Sequence, residues 1–193
     1  MAMAMMKEKE KQITLRPATI DDLALLTAWD QEEHVIVSDP DSDWEWEKNL
    51  HTPPVWCKQY IAEVVGKAIG FVQIMDPILE EEYHYWDDYL SQFEKDNSNA
   101  NTLRAIDIWI GEKEYLNKGF GRAMMNQAID KCFACPSVNA ILIDPLASNT
   151  DAQHFYQWFG FLYTTDFYFD GDHTKVHRLS REDWHRKNSA HSK

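Results

Sequence analysis

The segment from 104 to 161 constrains the fold most, because two apolar strand patterns alternate in it with two helical patterns. Residues 104–110 and 138–143 are nearly continuous apolar runs, and a single acid, Asp107, interrupts the first of them. Helical spacing of apolar residues follows at 122–133 and 150–159. The second helical pattern ends at Gly160, the residue type that most often terminates a helix in the left-handed conformation. The order predicts two buried strands, each followed by a helix.

A glycine turn separates the first strand from its helix. It consists of Asn117, Lys118, Gly119, Phe120, Gly121 and Arg122. Backbone N–H groups at the start of a helix are free to bind an anion, and glycines let the main chain approach it closely. The turn therefore suits a diphosphate, although a purely structural turn remains an alternative on this pattern alone. A dinucleotide fold is excluded because Met124 stands where a third glycine is needed, and the sequence has no Walker motif.

The other patterns complete a mixed fold. Strands are predicted at 13–17, 59–65, 68–75, 163–168 and 175–179, and helices at 23–29 and 44–50. Turns at Gly66-Lys67 and at 170–172 make hairpins of the neighbouring strands. The predicted class is α+β, with a mixed, mostly antiparallel central sheet flanked by helices. We expect a flexible segment at 1–12, a single domain at 13–184 and a flexible tail at 185–193.

The acidic composition restricts the partners. The formal net charge is −13, so the surface repels phosphates and nucleic-acid binding is not expected. The same charge attracts a polycationic substrate, although a generally soluble acidic surface explains it equally simply. No apolar run approaches the roughly 20 residues of a bilayer-spanning helix, and the start is no secretory signal, so a cytoplasmic location is predicted. The histidines lack metal-binding spacing, and no metal is expected.

The chain resembles the GCN5-related N-acetyltransferase (GNAT) superfamily. The residues that carry the resemblance are the glycine turn and a second motif formed by Asn149, Ala152, Tyr156, Gly160 and Phe161. Leu116 occupies the position where the superfamily usually has Gln or Arg. The diphosphate is therefore expected to be bound by backbone N–H groups together with Lys118 and Arg122. Within the superfamily, the chain is most similar to aminoglycoside 6′-N-acetyltransferases, from about Ile13 to about Trp184.

The resemblance implies an acetyl-CoA-dependent enzyme with assignable site residues. Asp107 is expected to accept the proton of the substrate amine, because a carboxylate on an apolar strand is costly unless it is functional or paired. An ion pair with Arg104 is the alternative. Tyr156 is expected to protonate the departing thiolate, although a helix tyrosine can equally belong to a core. The remaining predicted coenzyme contacts are the glycine turn, Asn149, and the backbone N–H groups of Ile108, Trp109 and Ile110, which would polarise the thioester.

Acidic and aromatic residues are the candidates for binding the acceptor. They are Asp144, Asp87, Trp86 and Trp46. Each has a structural alternative, since Asp144 precedes a proline as turn residues do and the others could belong to a solvated loop. The predicted acceptor is a small cationic amine, with the 6′-amino group of an aminoglycoside first. Siderophore precursors, polyamines, a protein N-terminus, or a non-catalytic CoA-binding sensor are the alternatives, and the protein is expected to be a monomer or homodimer.

Overall fold

A computed structural model describes residues 12–38, 44–94 and 102–190 of the chain. The predicted flexible segment 1–12 lies, apart from its last residue, outside this part. The strands are β1 (Ile13–Pro17), β2 (Cys57–Val64), β3 (Lys67–Met75), β4 (Leu103–Ile110), β5 (Ala140–Ile143), β6 (Leu162–Phe169) and β7 (Asp172–Ser180). The helices are α1 (Leu23–Trp29), α2 (Glu33–Ile36), α3 (Trp46–His51), α4 (Asp87–Phe93), α5 (Phe120–Phe133), α6 (Thr150–Phe159) and α7 (Arg181–Ala190). Short 3-10 turns occupy Ile20–Asp22 and Lys113–Tyr115.

The strands form one seven-stranded sheet in the order β1-β2-β3-β4-β5-β7-β6. β1 pairs with β2, β5 with β7 and β6 with β7, all antiparallel, whereas β4 and β5 are parallel. The parallel pair is joined through α5, because parallel neighbours need a long crossover connection. The predicted fold class, a mostly antiparallel sheet flanked by helices, is confirmed.

Both predicted hairpins form, and positive φ angles explain their turns. Val65 and Gly66 have φ angles of 53° and 77° at the first turn, one residue earlier than predicted. Asp170 and Gly171 have φ angles of 49° and 98° at the second. Two consecutive left-handed residues are the geometry that matches the twist of antiparallel strands, and the glycine makes it accessible in each hairpin.

The chain divides into two compact units, Met1–Ile74 with Asp107–Asp130, and Met75–Ile106 with Lys131–Lys193. The first unit has a core built on Leu26, Trp29, Trp46, Leu50, Ile61 and Phe71. The second has a core built on Trp86, Tyr89, Leu103, Ala105, Ala140, Leu142, Phe169 and Val176. One apolar core in each unit is the usual condition for a compact body to be stable.

The acidic stretch after β3 is anchored inside the second unit by buried carboxylates. Asp76 accepts a hydrogen bond from Arg104 at 3.0 Å, and Glu94 accepts one from Arg178 at 2.8 Å. Glu80, only 4% exposed, accepts backbone N–H groups of the following loop, including that of Tyr85 at 3.1 Å. Buried charges persist where they are paired in this way, so several of these acids organise the loop rather than face solvent.

The C-terminus departs from the prediction of a flexible tail. Helix α7 continues to Ala190, so the expected boundary at residue 185 falls inside a helix. The Arg181 side chain at its first position donates to the carbonyl oxygens of Phe133 at 2.9 Å and Val138 at 2.8 Å. Among the described residues, no helix is long and apolar enough to cross a membrane.

Candidate active site

Asp107 lies on β4, half-buried, in the first compact unit. Its Oδ2 accepts a hydrogen bond from Nε2 of Gln73 at 3.2 Å, and Oε1 of Gln73 accepts one from Nε2 of Gln59 at 2.9 Å. The Cys57 thiol is close by, and its pKa is raised first by burial and then by the negative charge of Asp107. The alternative partner considered from sequence, Arg104, pairs with Asp76. Gln73 thus supplies Asp107 with a neutral amide donor.

The end of β4 is locked by several backbone contacts. The carbonyl oxygen of Ile69 accepts from both Gly111 N, at 3.0 Å, and Glu112 N, at 3.2 Å, so two residues oppose one as in a β-bulge. Nε2 of His34 lies 2.9 Å from the carbonyl oxygen of Ile110. A Cβ at Gly111 would overlap the Trp29 ring, so this position accepts only glycine. These contacts restrict the position of the backbone at the end of β4, next to Ile108, Trp109 and Ile110.

The glycine turn leads directly into α5. Asn117 and Gly119 have φ angles of 56° and 87°, and Gly119 accepts the first helical hydrogen bond, from Ala123 N at 3.3 Å. The N–H groups at the start of α5 have no intrahelical acceptors, which is the arrangement that binds diphosphates. Lys118 and Arg122 are exposed, and the Phe120 ring packs on Tyr115 at 5.1 Å. Gly121, in the first turn of the helix, adds no side chain that would obstruct a ligand.

Asp144 follows β5 in the second unit. Its Oδ2 accepts a hydrogen bond from the hydroxyl of Tyr85 at 2.6 Å, a short distance typical of a charged acceptor. The Tyr85 ring stacks on Phe169, with centroids 4.4 Å apart and planes 11° apart. Tyr85, in the acidic stretch after β3, therefore orients the Asp144 carboxylate.

Helix α6 presents the second motif. Oδ1 of Asn149 accepts from Ala152 N at 3.0 Å and caps the helix, so the side chain has a structural task beside its predicted coenzyme contact. Gly160 closes the helix with a φ of 98°, and its N–H donates to Gln157 at 2.9 Å. Tyr156 is half-buried, and its ring centroid lies 6.0 Å from that of Phe161.

The buried tryptophans correct part of the substrate prediction. Trp86 is 1% exposed in the core of the second unit, and Trp46 is 6% exposed in the core of the first. This burial contradicts the prediction that either forms a substrate surface. Trp46 instead stacks on Trp44 at 5.2 Å and donates from Nε1 to Asp30 at 2.5 Å. Asp87 is exposed on α4, with Oδ2 at 2.9 Å from Nδ1 of His84.

A family model described as the acetyltransferase (GNAT) domain matches residues 19–169. The chain belongs to this GNAT family. The match includes both motifs and spans most of the chain, so the predicted activity of this GNAT protein, acetyl-CoA-dependent N-acetyl transfer to amines, is confirmed.

Two curated relatives of this GNAT protein are similar over most of their length. They are the aminoglycoside N(6′)-acetyltransferases type 1 of Klebsiella pneumoniae and Serratia marcescens, each 27% identical over 162 residues, which are 77% of this chain and 73% of the relative. The predicted similarity to that group is confirmed at this low identity.

Solved structures share the fold of this GNAT protein. The aminoglycoside acetyltransferase AAC(6′)-Ib in complex with coenzyme A and kanamycin has a TM-score of 0.77 and 23% identity, covering 92% of this chain and 99% of its own. The spermidine N-acetyltransferase from Vibrio cholerae in complex with CoA and spermine has a TM-score of 0.64 and 19% identity, covering 90% and 98%. At these identities the likeness establishes the fold.

Three residues that the sequence patterns did not single out hold predicted site residues of this GNAT protein by hydrogen bonds. Gln73 and Gln59 hold Asp107, and Tyr85 holds Asp144. A signal for Gln73 exists, since it is the one polar side chain in the apolar run from Ile69 to Ile74. Among the described residues, no cluster of His, Cys, Asp and Glu is arranged to hold a metal ion.

Proposed function

We propose that this protein transfers the acetyl group of acetyl-CoA to an amine of a small polycationic acceptor, with the 6′-amino group of an aminoglycoside as the first candidate. The observation that carries the proposal is the similarity to aminoglycoside N(6′)-acetyltransferases over 77% of the chain. The net charge of −13 supports it, because a negative surface attracts polycations and raises their local concentration. Antibiotic resistance is the biological role that such an activity would serve.

In the proposed reaction Asp107 accepts a proton from the acceptor ammonium, directly or through one water. The neutral amine then attacks the acetyl carbon, a C–N bond forms, and the thioester C–S bond breaks. Backbone N–H groups at Ile108 to Ile110 stabilise the negative oxygen that develops on the acetyl group. Tyr156 gives its proton to the departing thiolate, and the new amide loses its remaining extra proton to solvent. Asp107 then releases its proton and Tyr156 regains one by exchange with solvent.

The coenzyme is proposed to bind through its diphosphate at the start of α5. The supporting geometry is the pair of left-handed residues, Asn117 and Gly119, which bring the turn to the helix N-terminus. Lys118 and Arg122, both exposed, supply the positive charge. Leu116, at the position of the usual Gln or Arg, supplies none.

The acceptor is proposed to be held by acidic side chains. Asp144 is the first candidate, because its carboxylate is oriented by the Tyr85 hydroxyl and is half-buried, where a charge–charge contact is screened less than at the surface. Asp87 is the second, although its 57% exposed side chain offers a weaker contact.

A polyamine is the second candidate acceptor. The observation that favours it is the fold shared with the spermidine N-acetyltransferase from Vibrio cholerae. A polyamine and an aminoglycoside both present several ammonium groups, so the acids above suit either. Siderophore precursors and protein N-termini follow after these two.

The test is release of CoA thiol from acetyl-CoA by the purified protein. Kanamycin and tobramycin represent aminoglycosides, and spermidine and spermine represent polyamines. Mass spectrometry of the product assigns the acetylated nitrogen. We expect turnover with kanamycin at the 6′-amino group. Turnover with polyamines alone would refute the aminoglycoside assignment, and CoA binding without turnover of any amine would refute catalysis.

The base is tested by Asp107→Asn, which keeps the shape of the side chain and removes its proton affinity. We expect kcat to fall by about 100-fold or more. Asp130→Asn, an exposed acid on α5, is the matched control and should retain wild-type rates. Full activity of the Asp107 variant would rule out this carboxylate as the base.

A further inference from the structure

A polar row of side chains crosses three neighbouring strands in the first compact unit. Gln59 on β2 donates to Gln73 on β3 at 2.9 Å, and Gln73 donates to Asp107 on β4 at 3.2 Å. Gln73 is 7% exposed, and Gln59 and Asp107 are half-buried. A row of hydrogen-bonded side chains on one face of a sheet fixes the position of each member relative to the backbone.

An apolar row lies beside it on the same face. Strand side chains alternate, so Ile61, Phe71 and Trp109 point the same way as the polar residues two positions away. The rings of Phe71 and Trp109 have centroids 4.5 Å apart, and Trp44 packs on Trp109 at 4.9 Å. The polar row therefore runs beside a packed aromatic cluster on the same face of the sheet.

The hydrogen-bond pattern orients the Gln73 amide. Its oxygen accepts from Gln59, so its nitrogen is the atom that faces the Asp107 carboxylate. If the amide were reversed, an oxygen would face the carboxylate and the two partial negative charges would repel each other. Gln59 thus selects the orientation in which Gln73 can donate.

A neutral donor suits a base better than a cation does. A guanidinium stabilises a charged carboxylate strongly and weakens it as a proton acceptor. An amide donor orients the carboxylate with a weaker preference for the charged form. The Gln73 contact therefore restricts the direction of the Asp107 carboxylate while preserving its ability to accept a proton.

We infer that Gln73 is a positioning residue for the reaction, which holds the Asp107 carboxylate in the direction of the acceptor amine, and that Gln59 keeps the Gln73 amide in the donating orientation. This inference rests on the proposed role of Asp107. It assigns Gln73 and Gln59 a part in catalysis, although neither exchanges a proton with a substrate.

Two variants of Gln73 test the inference with the full-length protein. Gln73→Leu removes the donor and keeps the volume, so kcat should fall about 10-fold or more through misplacement of the base, with KM for acetyl-CoA unchanged. Gln73→Glu keeps the shape and puts a second carboxylate beside Asp107. Since like charges oppose ionisation, the acid limb of kcat/KM against pH should move to higher pH by about 1 unit.

Gln127→Leu is the matched control. Gln127 donates to the Ile13 carbonyl at 2.6 Å in the same compact unit, so its loss removes a comparable hydrogen bond away from Asp107. Thermal unfolding of every variant shows whether the fold is retained. A merely structural role of Gln73 predicts that Gln73→Leu is less stable but keeps wild-type kcat, and that result would overturn the inference.

Gln59 gives an independent test. Gln59→Glu places an acceptor where the donor stood, so residue 59 competes with Asp107 for the Gln73 nitrogen and weakens the Gln73–Asp107 hydrogen bond. The kcat of Gln59→Glu should fall more than that of Gln59→Leu, because in the Leu variant the Asp107 carboxylate still favours the donating orientation of the Gln73 amide. Equal rates for the two variants would contradict the assigned amide orientation.

The failure of the inference is distinguishable from failure of the proposed function. Inactive Asp107→Asn with unaltered Gln73 variants overturns the inference alone. Wild-type activity of Asp107→Asn overturns the role of the base, and the inference with it. If no acceptor is turned over, NMR titration of carboxyl carbons in aspartate-labelled protein decides, since Gln73→Glu should raise the Asp107 titration midpoint and Gln127→Leu should leave it unchanged.

Discussion

Gly70 on β3 is the position where a single methyl group should disturb the site from outside it. A Cβ at this position would lie 2.5 Å from the carbonyl oxygen of Trp109, 2.9 Å from Cε of Met124 and 3.1 Å from Cα of Ile110. The Met124 methyl is the end of a flexible side chain and can move, although it is completely buried. The Trp109 carbonyl belongs to the backbone of β4 and can move only with its strand.

The size of the effect follows from these distances. Ordinary contact begins at 3.4 Å, so the methyl group of Gly70→Ala must separate from the Trp109 carbonyl by about 0.9 Å, the difference between 3.4 and 2.5 Å. Overpacking of this kind costs about 1 to 3 kcal/mol of folding free energy. The displaced backbone is the one proposed to polarise the thioester, and misplacement by about 1 Å can cost about 100-fold in rate.

Two measurements check the prediction, and a second glycine of the same hairpin is the control. Urea unfolding should show the loss of stability, and kcat/KM for acetyl-CoA should fall by at least about 10-fold. Gly66 has a φ of 77°, and a methyl group added there would meet no atom within 4 Å, so Gly66→Ala strains only the turn. It should lose about 1 kcal/mol and keep its kinetic constants.

A Gly70→Ala protein with wild-type stability and kinetics would refute this prediction, since the methyl group would then fit without moving β4. The prediction would also be refuted if Gly66→Ala lost as much kcat/KM, because the kinetic effect would then reflect general destabilisation rather than displacement of the strand.

The remaining predictions concern acceptor binding and pH. Tyr85→Phe removes the 2.6 Å hydrogen bond to Asp144 and should raise KM for the cationic acceptor about 10-fold. The affinity for CoA, measured by calorimetry, should stay unchanged. An unchanged KM would contradict the orienting role of Tyr85. Burial alone would raise the pKa of Asp22, but hydrogen bonds from Arg16 and Thr19 bring that pKa below its ordinary value of 3.8. The stability that Asp22 contributes is therefore present above pH 3.8 and is lost as the pH falls through the lower pKa of the folded state. Asp22→Asn should reduce the free energy of unfolding by about 1 to 2 kcal/mol at pH 7 and by progressively less in acid. Urea unfolding at each pH measures this difference. Burial lowers the pKa of His177 below 6.5, so the unfolded chain binds a proton at a higher pH than the folded protein does. The free energy of unfolding should therefore decrease below pH 6.5, by up to about 1.4 kcal/mol per pH unit. His177→Gln should flatten this slope between pH 5 and 7, and an unchanged slope would exclude His177 as its source.

The local patterns of the chain predicted most of its elements. The alternation in the hairpins, the apolar run before the glycine turn and the terminating Gly160 each depend on neighbours within one strand or helix, and such signals are present in the sequence itself. The short helix α4 and the helical continuation to Ala190 were not predicted. α4 depends on buried packing of its Tyr89, and Arg181 at the start of α7 contacts carbonyl oxygens that lie more than 40 residues earlier.

The sequence by itself determined the family and the donor, because the glycine turn and the Asn149–Phe161 motif are local runs whose spacing carries the chemistry. Only the tertiary structure decided what holds the acids. The Gln73–Asp107 contact joins residues 34 positions apart, and the Tyr85–Asp144 contact joins residues 59 apart, so no local pattern reports either pairing. Burial also separated Trp46 and Trp86, which belong to cores, from Asp87, which faces solvent, since exposure depends on what the rest of the chain packs against.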